Sequence, residues 1–78
     1  MDKYEQLADA IVEYELIGYY DLIDAYGSER EAFRCISNDL RNNPIDVSYY
    51  EEMLKYEQPN DDEIVILNRI LDLAAAIN

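Results

Sequence analysis

The chain has 78 residues, with 18 acidic against 6 basic side chains for a formal charge of -12 at pH 7, and half of it is apolar. That length holds one small domain; the acid excess opposes binding to nucleic acid or an anionic membrane, which need basic residues to displace counterions, and the apolar half is too large for a solvated disordered tail. With one cysteine and no histidine, an internal disulfide, the Ser-His and Cys-His nucleophile pairs and His-ligated or all-thiolate zinc sites are excluded.

Three breaks punctuate the chain: Gly27-Ser28, Asn42-Asn43-Pro44 and Gln58-Pro59-Asn60. The first segment runs from about Asp2 to Tyr26. Tyr4, Leu7, Ile11, Tyr14, Gly18, Leu22 and Ala25 recur there at three- and four-residue spacing, the helical period. Gly27 suits a left-handed C-terminal cap. Gly18 is the weak point, because an interior glycine costs about 1 kcal/mol relative to alanine; a kink there and a close backbone neighbour both account for it.

Ser28-Glu29-Arg30-Glu31 opens the second helix as a capping box. Ala32, Phe33, Cys35, Ile36 and Leu40 give it an apolar side, with Cys35 read as a small core residue. It stops near Asn42, because Asn43 precedes a proline. Pro44 to Val47 forms a short linker with Ile45 or Val47 pinned to the core. A second capping box, Ser48-Tyr49-Tyr50-Glu51, starts a third helix that ends near Glu57, with Met53 and Leu54 facing in. The fourth begins at Asn60 or Asp61, where Asp61, Asp62 and Glu63 complement the helix dipole. Its apolar surface is broad, from Ile64 to Ile77, and predicts the central helix of a bundle.

The expected fold is therefore all-α: one domain over residues 1–78, a compact bundle of three to four helices with short, roughly antiparallel connections. Such a chain buries roughly 60–65% of its unfolded surface, so its core has to be efficient or shared with a partner. The N-terminus has no basic start and no apolar run, unlike a signal peptide. No apolar run approaches the ~20 residues of a membrane span. Together with the lone cysteine, these features lead to the expectation of a cytoplasmic location.

The chemistry-bearing pattern with the clearest geometry is a row of carboxylates. Asp2, Glu5, Asp9 and Glu13 fall within roughly an 80° arc at 100° per residue, and span roughly 16 Å along the helix. Glu15, Asp21 and Asp24 add charge further along. Residues 1–27 hold seven acids and one base, Lys3. Like charges three or four apart weaken a helix slightly, and a helix that only needs solubility mixes signs. A plain solvated face accounts for the same row without any function.

Tyrosine is the second feature, with eight residues against one phenylalanine and no tryptophan. Tyr19-Tyr20 and Tyr49-Tyr50 each place two rings about 100° apart on a helix. Exposed tyrosines beside carboxylates suit arginine-rich partners; filling the edge of a small core is the plainer role. Glu51-Glu52 and Asp61-Asp62-Glu63 lack the alternating ligands and central glycine of a calcium loop. A helix-turn-helix reading fails because the candidate reading helix carries Glu51, Glu52 and Glu57 against Lys55 alone. No metal, cofactor or catalytic residue is expected.

Two functions fit. In size and charge the chain resembles the anti-restriction and anti-CRISPR inhibitors made by phages, a resemblance of composition over the whole chain that carries no motif. It implies a non-enzymatic mimic that sets carboxylates where the basic groove of a nucleic-acid-binding protein expects phosphates, in the cytoplasm of the host cell if phage-encoded. The partner surface would then be Asp2, Glu5, Asp9, Glu13, Glu15, Tyr19, Tyr20, Asp21 and Asp24. The alternative is a helical interaction module, such as an adaptor, an antitoxin-like neutraliser or a homodimeric subunit, binding through tyrosine and apolar surface.

Overall fold

The computed structural model describes residues 1–17 and 22–77, with the backbone alone at 22 and 23, and all the regular structure in them is helical. The helices are α1 (Lys3–Ile17), α2 (Leu22–Tyr26), α3 (Glu29–Asn42), α4 (Ser48–Tyr56) and α5 (Asp61–Ile77). Four of them fall in the four expected segments, and α2 is a short additional helix within the first. The expectations placed on Gly18, Tyr19, Tyr20 and Asp21 lie outside the described residues.

Helix starts are set by side chains that meet the free first-turn amides. At α1 the box is reciprocal: Glu5 N donates to Asp2 Oδ1 at 2.8 Å and Asp2 N to Glu5 Oε1 at 3.2 Å. The same pairing starts α5, with Glu63 N donating to Asn60 Oδ1 and Asn60 N to Glu63 Oε1. At α3, Ser28 Oγ accepts from Glu31 N at 3.1 Å, while the Glu31 carboxylate turns to Arg34. The expected Ser48–Glu51 box does not form. Asp46 lies two residues upstream and accepts from both Ser48 N and Ser48 Oγ, so Ser48 enters the helix behind Val47.

Gly27 ends α2 with φ +93°, the left-handed conformation expected of it. A Cβ there would meet nothing within 4 Å, so the need for glycine is purely conformational. Gln58 takes φ +47° after α4, and Pro59 follows.

The core places α1, not α5, at the centre. Leu7, Ala8, Ala10, Ile11, Val12 and Tyr14 are buried on α1 and cover roughly 200° of its circumference at 100° per residue. Ile66, Leu67, Ile70 and Ala74 are buried on α5 and cover roughly 100°. α1 packs against both α3 and α5, and α5 against α1 and α4. Leu7, Ala10, Ile11 and Tyr14 join the α5 residues in one cluster, and Val12 packs with Ala32 of α3 in a second. Val65 and Ala75, read as part of a broad buried face, are exposed, as is Ala25 on α2.

Around this pair, α4 contributes only half-buried residues. Met53, Leu54 and Tyr50 pack against the main cluster, as do Ile45 and Val47 of the linker. The Tyr50 ring meets Tyr14 edge-on at 6.0 Å and 80°. Cys35 is half-buried at the helix edge rather than in the core, while Ser37 is buried and donates to Phe33 O at 2.7 Å. Among the described residues, no helix is long and apolar enough to cross a membrane.

The packing register of α5 is testable. Ile70→Val is expected to lower the unfolding free energy by about 1 kcal/mol, and Val65→Ala by less than about 0.5 kcal/mol, in urea titrations followed by circular dichroism. Gly27→Ala, forced into a positive φ, is expected to cost about 1 kcal/mol.

Candidate functional site

The acid row sits where the periodicity places it. Its four members fall within the roughly 160° of α1 that the buried arc leaves over, and Asp2, Asp9 and Glu13 are exposed with Glu5 half-buried. The tertiary fold then supplies the cations that the helix itself lacks. Arg41 of α3 reaches Asp2 Oδ2 at 2.6 Å and Glu5 Oε1 at 3.6 Å. Arg69 of α5 reaches Glu13 Oε2 at 3.1 Å. Lys3 turns its Nζ to Ala76 O at the end of α5. Asp9 is the member of the row with no ion-pair partner among the described residues. The Arg41 hydrogen bond, with help from the Glu5 backbone contact, holds the Asp2 carboxyl below its usual 3.8.

Asp24 is exposed on α2. Glu15 departs from the row altogether. It is half-buried, it has no ion-pair or hydrogen-bond partner among the described residues, and burial raises its carboxyl above the usual range.

Uncompensated charge collects elsewhere. Residues 46–63 carry seven carboxylates against Lys55. Asp46, Glu51, Glu52, Glu57, Asp61 and Asp62 are exposed, and Glu63 is the capping residue of α5. Tyr49 and Tyr56, 45% and 67% exposed, flank them on α4. The Lys55 ammonium lies 5.3 Å from the Tyr56 ring centre. The sequence explained Asp61, Asp62 and Glu63 as helix-start charge and set Glu51 and Glu52 aside as lacking the spacing of a calcium loop, but did not show the surface that these acids share with the exposed Tyr49 and Tyr56.

The basic residues are not scattered. Arg30, Arg34 and Arg41 line one side of α3 along a groove of about 260 Å3 with Phe33 and Asn38. Their spacing of four and seven residues was visible in the sequence. Two are already engaged: Arg34 with Glu31 at 2.7 Å, and Arg41 with the α1 box.

A second cavity, of about 350 Å3, opens between α1, α3 and the segment 44–50. Leu7, Ile11 and Ile70 form its floor, and Ile36, Leu40, Ile45 and Val47 its walls. Its polar lining is Glu15, Asp39 and Asp46 with the rings of Tyr26 and Tyr50, and no described lysine or arginine lines it. Burial, with the nearby Glu15 charge, pushes the Tyr50 phenol far above its usual range. The Ser48 hydroxyl and amide hold the Asp46 carboxyl below its own. Among the described residues no three His, Cys, Asp or Glu side chains come together to hold a metal ion.

The chain matches no protein-family model, and comparison with curated proteins and with solved structures finds no match.

The two shifted carboxylates give stability effects of opposite sign. Folding lowers the Asp2 value, so its contact with Arg41 contributes fully above pH 3.8 and is lost as the pH falls through the lower folded value. Arg41→Met is expected to flatten the acid-side fall of the urea midpoint between about pH 4 and pH 2. Folding raises the Glu15 value above 4.5, so ionised Glu15 subtracts from stability as pH rises through that range. Glu15→Gln is expected to raise the urea midpoint at pH 7, an advantage that disappears in acid.

Proposed function

We propose that the chain is a non-enzymatic acidic binding protein that occupies the basic groove of a nucleic-acid-binding protein, where its carboxylates stand in for phosphates. The observation that carries this reading is the pattern of neutralisation. Among the described residues, the carboxylates in ion pairs are Asp2, Glu5, Glu13 and Glu31. The exposed acids of α4 and the first turn of α5 have no such partners, so the surface of residues 46–63 keeps nearly all of its charge. Double-stranded DNA presents one charge per roughly 1.7 Å of axis, and a protein shaped to hold it meets a comparable field here.

This moves the centre of the partner surface. Asp9 and Asp24 stay open to a basic partner. Asp2, Glu5 and Glu13 are shared with Arg41 and Arg69, so a partner has to compete with internal guanidinium groups to use them. Tyr49 and Tyr56 sit beside the acids of residues 46–63, Tyr49 edge-on to Tyr50 at 5.1 Å and Tyr56 with the Lys55 ammonium over its ring.

The second reading, an interaction module held by apolar and tyrosine surface, is favoured by one feature, the apolar-floored cavity beside Tyr50. The two readings differ in salt dependence. Counterion release makes a charge-led complex weaken steeply with salt, whereas an apolar one does not.

The experiment is capture of partners from lysate on the tagged chain, with low- and high-salt washes and duplex DNA as competitor. Basic nucleic-acid-binding proteins that leave at high salt and are displaced by DNA are the expected result, and Glu51→Lys/Glu52→Lys is expected to reduce their recovery at least tenfold. A neutral or acidic partner retained at high salt and indifferent to both changes would overturn the reading in favour of the apolar one.

A further inference from the structure

Glu15 is out of place electrostatically. The fold takes its carboxylate partly out of water and, among the described residues, sets no cation against it, although burying an unpaired charge is unfavourable. The exposed acids avoid that cost by staying solvated, and Asp2, Glu5 and Glu13 of the α1 row are met by arginines. Glu15 instead faces the 350 Å3 cavity together with Asp39 and Asp46.

The cavity selects its occupant by two properties held together. Its floor of Leu7, Ile11 and Ile70 rejects a small hydrated cation, which has no apolar surface to lay on it. Its three carboxylates and the absence of any described basic lining residue reject an anion and give a neutral apolar group nothing to pair with. A side chain with an aliphatic stem and a cationic end meets both demands, because the stem covers the apolar wall while the charge stays at the rim. Tyr26 and Tyr50 also line the cavity, and ring faces beside carboxylates discriminate further. A guanidinium is planar and weakly hydrated; it stacks on an aromatic ring and pairs with a carboxylate through two hydrogen bonds, whereas an ammonium stays strongly hydrated. The volume lies at the small end of ligand cavities, fitting one long side chain rather than a packed helix.

We propose that this cavity is a socket for a single arginine side chain presented by a basic partner, with Glu15 as its principal carboxylate, the stem lying on Ile11, Ile45 and Val47 and the guanidinium against Tyr50. The proposal rests on the reading of the chain as a binder of basic proteins, and it names the anchoring contact that broad charge attraction lacks.

The test is a titration of the isotope-labelled full chain with N-acetyl-arginine methylamide, followed through its amide resonances. The controls are the citrulline compound, neutral and nearly isosteric, and the lysine compound. Saturable shifts confined to residues around Ile11, Glu15, Ile45 and Tyr50 are expected, with a dissociation constant on the order of 1 mM for so small a ligand. The citrulline and lysine compounds are expected to bind at least fivefold more weakly. Glu15→Gln is expected to weaken the arginine compound about tenfold while leaving the chain at least as stable as before, which separates loss of the socket from loss of the fold; Asp72→Asn, exposed on α5 and absent from the cavity lining, is expected to leave it unchanged. Equal losses in the two variants, shifts spread over all the acidic surface, equal binding of the citrulline compound, or no saturable shift would each overturn the proposal. The broader reading is scored separately. If Glu15→Gln still captures a salt-released basic partner that Glu51→Lys/Glu52→Lys loses, the socket fails and the reading stands. If the arginine compound binds as expected while no basic partner is captured, the reading fails instead.

Discussion

Everything else in this fold hangs on the double-sided burial of α1. Leu7, Ala10, Ile11 and Tyr14 face the Ile66–Ala74 stripe of α5, while Val12 turns towards Ala32 of α3. Small residues stand at these contacts, Ala10 of α1 against α5 and Ala32 of α3 against α1. With α1 committed on two sides, α3 and α5 are brought to its flanks, and α4 closes the open end by laying Tyr50, Met53 and Leu54 on the main cluster. The polar remainder of α1 is then a strip bordered by both neighbouring helices.

That border decides the electrostatics. Arg41 and Arg69 come from helices 39 and 56 residues away in sequence from the acids that they meet, yet the packing sets them at the two ends of the row. These pairs are exposed and individually weak. Their larger effect is on the field: the row loses much of its charge, while the surface of residues 46–63, with only Lys55 nearby, does not. A net charge of -12 says how much negative potential the molecule carries. Which side of it a basic partner meets is set by where six cations settle after folding.

The linker at residues 44–47 has a comparable double role. Asp46 takes the amide and hydroxyl of Ser48 and so fixes where α4 begins, while Ile45 and Val47 insert into the core edge. The same four residues form a wall of the cavity that Glu15 enters. A segment that looks like a connector thus sets a helix start and shapes a candidate binding surface at once.

The helices were legible because their causes are local. The Ser28 and Asn60 starts, the Gly27 stop, the Asn43-Pro44 break and the three-four spacing of Leu7, Ile11 and Tyr14 are all properties of neighbours in the chain, and each stands in the structure. Where two local signals competed, as at Asp46 and Ser48, the pattern of a capping box misled, because a carboxylate two residues upstream reaches the same amide and hydroxyl. The apolar breadth of α5 misled as well: hydrophobicity shows that a face can be buried, but only the presence of neighbours decides whether it is, and Val65 is left 59% exposed. The carboxylate row on α1 was readable from 100° per residue alone. Its arginine partners, the isolation of Glu15 and the apolar cavity beneath it were not, because each joins residues from helices distant in sequence. By itself, then, the sequence determined the helices, their breaks and the sum of the charge, through forces acting within a few residues. The central place of α1, the pairing of its acids and the site at Glu15 were decided by tertiary packing, because they depend on which distant side chains share a few ångströms of space.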